Sequence, residues 1–161
     1  MIKLASYTRK LKMWLQAQDH YLGNAPAGCL FCCVVEEGLD LQGIILVGRP
    51  TARMLPQDGS WGEITRLWLR PGLKYGMASE VIRFAIDVCR QRGMKKLISY
   101  HDRSRHTGCI YRKAGMKKGY ATKPRDWGSR PLRSYPLFQT QEQRVSGAMP
   151  LTSKRQWYID L

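Results

Sequence analysis

The sequence predicts one domain of the α/β (α+β) class, with a mixed, mainly antiparallel sheet flanked by helices. Two observations carry this prediction. Apolar runs of strand length, residues 28–36 and 43–48, are separated by a short turn-forming stretch, which favours an antiparallel hairpin. Further along, an alternating segment 61–70 and a second strand 95–100 flank a helical run, and strands joined by such a crossover pair in parallel. A chain of 161 residues suits one such domain.

The N-terminal part predicts a short strand followed by a helix. Residues 1–8 can form the strand. From Thr8 to Tyr21 apolar residues recur at helical spacing, with Thr8 placed to cap the start and Gly23 to end the helix.

The segment Trp61–Arg70 alternates with period two and predicts a half-buried strand. One face is expected to carry Trp61, Glu63, Thr65, Leu67 and Leu69, and the other Ile64, Arg66, Trp68 and Arg70. Pro71 and Gly72 end the strand, and a well-buried helix is predicted over Ser79–Arg92.

The last third of the chain predicts a short helix, two strands and an irregular basic stretch. The helix covers His106–Ala114, a strand follows over Met116–Thr122, and Arg155–Asp160 is expected to close the sheet. The Pro- and Arg-containing extension that starts at about residue 123 shows little apolar periodicity. The whole chain, 1–161, is therefore interpreted as one domain with a basic C-terminal extension.

Charge and cysteine content narrow the class of partner and the compartment. Lys and Arg number 27 against 12 Asp and Glu, a net charge of +15 that favours nucleic acid or anionic cofactors as partners. No apolar run reaches the roughly 18 residues that cross a bilayer, and residues 1–10 lack the continuous apolar segment typical of a secretory signal. The five cysteines suit free thiols, and neither Cys29–Cys32 nor His101 and His106 has a complete ligand set. We expect a cytoplasmic protein with no membrane or metal partner.

The turn between Pro71 and Ser79 is the first candidate for a binding site. Gly72 and Gly76 lead into a helix whose first backbone N–H groups lie at its positive dipole end, which suits a pyrophosphate. Lys74 and Arg70 could add charge. Glycines before helices are also common structural caps, so this motif alone leaves both interpretations open.

Tyr111, within Cys109–Met116, is the second candidate. Its phenol stands on a short helix after the predicted parallel strand and can donate a proton to a departing thiolate. The alternative is an amphipathic Tyr that covers the sheet.

In this order and at this spacing, the two motifs resemble those of the GNAT superfamily of N-acyltransferases. The family pattern is a strand, an Arg/Gln-x-x-Gly-x-Gly/Ala turn, a helix, a second strand, and a helix ending in Tyr-x-Lys-x-Gly-Phe. The corresponding residues here are Gly76-Met-Ala78 and Tyr111-Arg-Lys-Ala-Gly-Met116. The resemblance spans about residues 28–120 and implies a GNAT fold with a sheet splayed at its centre.

The resemblance also implies acetyl-CoA as cofactor and a role for each motif residue. The backbone of Lys74, Tyr75, Gly76, Met77, Ala78 and Ser79 would hold the pyrophosphate. The backbone of Leu67, Trp68 and Leu69 would pair with pantetheine, and Tyr111 would protonate the leaving thiolate. Leu73 occupies the position of the family's Arg/Gln. Phosphate binding would then depend on Lys74 or be weaker, or the acyl donor would be a different one.

A second resemblance points to DNA as the acceptor. Glu63-Ile-Thr-Arg-Leu-Trp68 and the block from Ser99 to Tyr111 look like segments of phage-encoded GNAT-like proteins, including Mom-type DNA-modification proteins. Related phage acyltransferases cap an amine on a pyrimidine, which implies an amino-modified base in phage DNA and a location in the host cytoplasm. Candidate nucleic-acid contacts are Arg49, Arg53, Arg66, Lys123, Arg125, Trp127 and Arg130.

Amine acetylation also needs a base, for which Glu63 is the first candidate and Asp102 and His106 are alternatives. Each has a structural alternative: Glu63 as an ion-pair partner of Arg66 or Arg53, and Asp102 as a cap of the 106–114 helix. Other acceptors stay open, namely a small molecule, a protein or an aminoacyl-tRNA. A Mom-like protein that does not use acetyl-CoA also stays open, as does the oligomeric state, a homodimer included.

Overall fold

The computed structural model describes residues 1–18, 25–123 and 152–161. Within these ranges the chain forms ten elements. In order they are β1 (Ile2–Ala5), α1 (Arg9–Gln16), β2 (Phe31–Glu37), β3 (Asp40–Gly48), β4 (Trp61–Leu69), α2 (Met77–Gln91), β5 (Lys96–Asp102), α3 (Cys109–Lys113), β6 (Lys117–Ala121) and β7 (Lys154–Asp160).

The described strands form one sheet in the order β1-β2-β3-β4-β5-β7-β6. Only β4 and β5 pair in parallel, and α2 is the crossover between them. The other neighbouring pairs are antiparallel. The predicted mixed, mainly antiparallel sheet is thus confirmed. The last strand, however, does not close the sheet, because β7 lies between β5 and β6 and leaves β6 at the edge.

The sheet splays at its centre, where β4 and β5 separate after a short parallel ladder. The ladder runs from Trp61 opposite Lys96 to Ile64 opposite Ser99. Beyond that point β4 stays paired with β3, while β5 stays paired with β7 as far as Asp102. A cleft therefore opens between the carboxyl halves of two neighbouring strands, as the predicted fold requires.

A β-bulge in β4 changes which side chains share a face. Leu46 of β3 pairs with Arg66 and Val47 pairs with Ile64, so Thr65 is the extra residue of the bulge. Strict alternation does not hold across such a residue. The faces predicted for Trp61–Arg70 are therefore wrong beyond the bulge.

The sheet packs a core on each of its two faces. On the α2 face, the larger core contains Ile64 together with Leu67 and Leu69, which prediction had placed opposite Ile64. On the α1 face, Leu15 and Trp68 join a smaller core. Glu63 precedes Ile64 in the regular part of the strand and therefore faces α1, away from Leu67 and Leu69.

The end of α1 and the start of α3 differ from the predicted helix boundaries. Thr8 caps α1 by accepting a hydrogen bond from the N–H of Leu11, as expected. The helix ends at Gln16, one residue after Leu15, which it buries, and the predicted end at Tyr21 lies outside the described residues. Gly23 lies outside the described residues. The predicted first turn of α3 from His106 is wrong, because Gly108, with φ of 77°, precedes the helix.

Candidate active site

The cleft exposes one backbone edge of β4. Because the ladder to β5 ends at Ile64, residues 65–69 have no strand pairing on the β5 side. These include Leu67, Trp68 and Leu69, whose backbone is predicted to pair with pantetheine. The side chains of Leu67 and Leu69 pack against the α2 core, and Trp68 meets Trp14 edge-on at 5.2 Å on the other face. The side chains are thus anchored in both cores, and the backbone edge between them borders the cleft.

The turn that follows β4 carries unpartnered backbone donors. Gly76 has φ of 92° and directly precedes the 15-residue helix α2. The N–H of Met77 donates to Lys74 and the N–H of Ser79 donates to Gly76. Among the described residues, no partner accepts from the backbone N–H of Tyr75, Gly76 or Ala78. Donors at a helix N-terminus suit an anion, so this turn fits the predicted pyrophosphate role.

The cationic side chains near this turn are engaged by neighbouring groups, and Lys113 of α3 lies over the ring of Tyr75. Lys74 forms an ion pair with Glu80 at 3.4 Å. Arg70 donates to the side chain of Gln42 on β3 at 3.3 Å. Leu73, at the family's Arg/Gln position, lines a cavity of about 690 Å³ together with Met77. Phosphate binding here would therefore depend mainly on backbone groups.

Two buried hydroxyls flank the path from this turn to the cleft. Ser79, in the first turn of α2, is 3% exposed, and Ser99, at the last position of β5 that pairs with β4, is 1% exposed. Neither Oγ atom has a hydrogen-bond partner. Unpartnered buried hydroxyls cost free energy unless a partner arrives, so both fit a site that a polar ligand completes. Ser99 was not predicted as a site residue, since a serine within a strand carries no signal of its own.

Tyr111 lies on α3, over the β5–β7 side of the cleft. Its ring is buried and stacks on Trp157 at 5.7 Å and on His101 at 6.0 Å. The indole N–H of Trp157 donates to Nδ1 of His101 at 2.7 Å. Arg83 of α2 donates to the carbonyl of Lys113 and ties α3 to α2. The predicted proton donor is thus held in a rigid aromatic stack, whose His101 and Trp157 were not predicted as site residues.

Glu63 is a buried carboxyl on the α1 face of the sheet, 6% exposed. Burial raises the pKa of Glu63, although hydrogen bonds from the N–H and hydroxyl of Thr51 oppose the shift. The predicted ion pair with Arg66 or Arg53 does not form, because Thr51 is the partner of this carboxylate. A carboxyl with a raised pKa is a better proton acceptor than an ordinary one.

The two alternative bases lie at the carboxyl end of β5. Burial opposes ionisation of Asp102, but hydrogen bonds from Ser104 and Thr152 outweigh it and lower the pKa of Asp102. Asp102 stabilises the turn at 102–106. The interpretation that it caps α3 is therefore wrong. His106 is exposed and lines a separate cavity with His101. Asp102, with a lowered pKa, is therefore a weaker base than Glu63, whose pKa is raised.

The predicted nucleic-acid contacts are only partly described. Arg49 and Arg53 are exposed on the β3–β4 connection, Arg66 is half-buried on β4, and Lys123 is exposed after β6. Arg125, Trp127 and Arg130 lie outside the described residues. In the described part of the chain, no cluster of three His, Cys, Asp or Glu side chains could hold a metal ion. No helix there is long and apolar enough to span a bilayer.

Solved structures with the same architecture include several acetyltransferases. A ribosomal-protein-alanine N-acetyltransferase from Brucella melitensis matches with a TM-score of 0.66 at 12% identity, covering 100% of this chain and 99% of that chain. The chain has the GNAT fold. An acetyltransferase from Bacillus subtilis in complex with CoA matches with a TM-score of 0.64 at 18% identity, over 99% and 97% of the two chains.

A GNAT family acetyltransferase from Elizabethkingia anophelis with acetyl-CoA bound matches with a TM-score of 0.63 at 16% identity, over 100% and 97%. No family model matches the chain, and no curated protein matches it in sequence. The predicted GNAT fold is confirmed. The likeness to phage DNA-modification proteins stays a prediction.

Proposed function

We propose that this protein is an acetyl-CoA-dependent N-acetyltransferase. The observation that carries the proposal is the arrangement of the cleft. The unpaired backbone of β4 borders one side of the cleft, and Tyr111 lies on the other side. The unpartnered backbone amides at the start of α2 lie at one end of the cleft. Solved structures of the same fold that are named as bound to CoA or acetyl-CoA support this choice of cofactor.

The cofactor-binding residues act mainly through their backbone. The N–H groups of Tyr75, Gly76 and Ala78 would bind the pyrophosphate, and the free edge of β4 at 65–69 would hydrogen-bond the pantetheine arm. Bound acetyl-CoA supplies an activated acetyl thioester. A strand N–H at this edge can stabilise charge on the thioester oxygen, because a fixed dipole in a water-poor cleft needs no reorganisation.

Two side chains move protons in this proposal. The amine must lose a proton to attack, and Glu63, with its raised pKa, accepts it on the α1 face, directly or through water. Tyr111 donates its phenolic proton to the leaving thiolate. The new bond is amide C–N, and the bond that breaks is thioester C–S.

The acceptor that we propose is an amine on a modified pyrimidine base in phage DNA. The net charge of +15 and the exposed Arg49 and Arg53 support an anionic partner. On the α1 face, the rings of Tyr100 and Tyr120 meet at 6.4 Å, and Tyr120 is 56% exposed. An exposed aromatic ring of this kind suits stacking on an extruded base.

Cofactor binding is the first test of this proposal. Calorimetry and a melting scan of the full chain with acetyl-CoA should show a saturable site, with stabilisation of about 2.7 kcal/mol at a hundred times the dissociation constant. Absence of binding would contradict acetyl-CoA as the cofactor and favour a Mom-like protein that uses another donor.

The acceptor is tested separately by mass spectrometry of nucleosides. DNA carrying an amino-modified pyrimidine should gain one acetyl group per amine, and the same DNA without the amine should stay unmodified. DNA binding should weaken steeply as salt rises, since cations that contact phosphates release counterions on binding. A flat salt response would contradict a DNA acceptor even if acetyl-CoA binds.

A peptide N-terminal amine is the second candidate acceptor. Solved structures from Brucella melitensis and Escherichia coli that share this fold are named as ribosomal-protein-alanine N-acetyltransferases. A peptide mixture and the amine-bearing DNA, offered in the same reaction, distinguish the two acceptors by which one is acetylated.

A further inference from the structure

Another cavity lies at the carboxyl end of β5 on the α2 face and shares His101 and Trp157 with the β5–β7 side of the cleft. It has a volume of about 230 Å³ and lies between the 103–107 connection and strands β6 and β7. Its cationic lining residues are Arg103, Lys118 and Arg155, and its aromatic ones include His101 and Trp157. No acidic side chain lines it among the described residues. We call it the basic cavity.

The cations of the basic cavity have only neutral partners. Arg103 donates to the hydroxyl of Ser153 at 3.4 Å, and Arg155 donates to the carbonyl of Gly119 at 3.1 Å. The ion pairs within the described ranges involve other residues, so neither arginine nor Lys118 has a carboxylate partner there. A guanidinium has five N–H donors, so both arginines keep donors for a further ligand.

His101 offers a further hydrogen-bond donor to the basic cavity. It is only 4% exposed, yet its imidazole lines the basic cavity. Because Nδ1 accepts the indole N–H of Trp157, the ring proton of the neutral imidazole lies on Nε2. That Nε2–H has no hydrogen-bond partner in the described part of the chain. Nε2 is not among the fully buried unpartnered polar atoms, so it opens to the cavity and can donate to an acceptor bound there.

We propose that the basic cavity binds a phosphate group, as a monoester or a diester. Arg103, Lys118 and Arg155 contact its oxygens, and Nε2–H of His101 donates a further hydrogen bond. A phosphate fits better than a carboxylate, because its several oxygens can engage both guanidinium forks and the imidazole together. Arg103, Lys118 and Arg155 take no part in the acetyl transfer proposed above, and His101 touches that site only through the ring of Tyr111, on which it stacks.

Inorganic phosphate is the probe that tests the site directly. Titrated into the full chain, it should shift the indole N–H resonance of Trp157 in a saturable way, because that N–H contacts His101. Lys118→Gln should weaken binding about three- to fivefold, as expected for one exposed charged contact. The matched control is Lys117→Gln, which removes the same charge from the neighbouring, also exposed position, whose side chain points to the opposite face of β6.

Two ligand pairs identify the source of the phosphate. If Lys118→Gln weakens binding of CoA but not of dephospho-CoA, the cavity takes the cofactor's 3′-phosphate. If it weakens binding of a single-stranded oligonucleotide and leaves CoA unchanged, the cavity takes a phosphodiester of the acceptor. Either result supports the site.

Two results would overturn the proposal. One is the absence of a saturable phosphate response in the unmodified protein. The other is equal weakening by Lys117→Gln and Lys118→Gln, which would mean that net charge alone attracts the anion. Both substitutions lie at exposed positions, so both variants are expected to fold and their phosphate affinities can be compared directly.

Discussion

The two sides of the cleft use different parts of the chain. On the β4–α2 side, the groups that face a ligand are backbone amides, and the nearby side chains are either apolar, as Leu73 is, or already paired, as Lys74 is. On the β5–α3–β7 side, the groups are side chains held in a stack of Tyr111, His101 and Trp157. The first side should therefore tolerate changes of side chain that keep its backbone geometry. The second should be sensitive to individual side-chain atoms.

The largest expected effect comes from filling the space at the start of α2. Gly76 has φ of 92°, and a Cβ atom there would meet no protein atom within 4 Å. Gly76→Trp should therefore place an indole where the pyrophosphate would lie and abolish acetyl-CoA binding by calorimetry. Gly93→Trp is the control, since Gly93 follows the other end of α2 with φ of 67° and similar open space. Equal affinity in the two variants would show that the phosphate site is misplaced.

The next largest effect is expected when one oxygen atom is removed from the β5–α3–β7 side of the cleft. Tyr111→Phe keeps the ring that stacks on Trp157 and deletes the phenol. Turnover should fall roughly a hundredfold or more, the usual contribution of a general acid, with acetyl-CoA affinity unchanged. Steady-state kinetics and calorimetry measure the two quantities separately. Unchanged turnover would remove Tyr111 from the mechanism and leave it as a packing residue.

A third substitution disturbs the aromatic stack from outside, without replacing Tyr111, His101 or Trp157. A Cβ atom on Gly108 would lie 2.6 Å from Trp157 and 2.7 Å from His101, at a φ of 77°. Gly108→Ala should therefore lower the free energy of unfolding by about 2–3 kcal/mol, from overpacking and backbone strain together. Denaturant unfolding measures it against Gly115→Ala, where φ is 90° and the space is open. Similar losses at both glycines would mean that the stack can shift at no cost.

The smallest expected effect is a shift in pH dependence. A base works only when deprotonated, so activity should fall as the pH drops through the pKa of Glu63. Burial raises that pKa and the hydroxyl of Thr51 opposes the rise, so Thr51→Val should raise the pKa further. The acid limb of kcat/KM should move to higher pH by up to about one unit, while the backbone N–H of residue 51 keeps its hydrogen bond. An unmoved acid limb would argue against Glu63 as the base.

The order and type of the elements were largely predictable, because they depend on local patterns. The hairpin of β2 and β3, the alternating β4 and the apolar face of α2 all appear at or near their predicted positions. The glycines at the start and end of α2 also have the positive φ angles that such positions use. The turn before α2 and Tyr111 lie beside the cleft for the same reason: each has a fixed place relative to a strand end.

The partners of individual side chains were not predictable. One interpretation paired Glu63 with an arginine, but its carboxylate instead accepts hydrogen bonds from Thr51, on a connection whose course depends on tertiary packing. His101 and Trp157 are 56 positions apart in sequence and meet only because β7 pairs with β5. No local pattern specifies contacts at that separation.

By itself, the sequence determined the set of elements, the parallel β4–β5 crossover and the glycine-bearing turn at its centre. Apolar periodicity, glycine and proline act within a few residues, so these features can be recognised without the rest of the chain. Only the tertiary structure decided the bulge at Thr65, the position of β7 inside the sheet and the cations of the basic cavity. These depend on strand register between distant segments, and a shift of one residue moves a side chain to the opposite face.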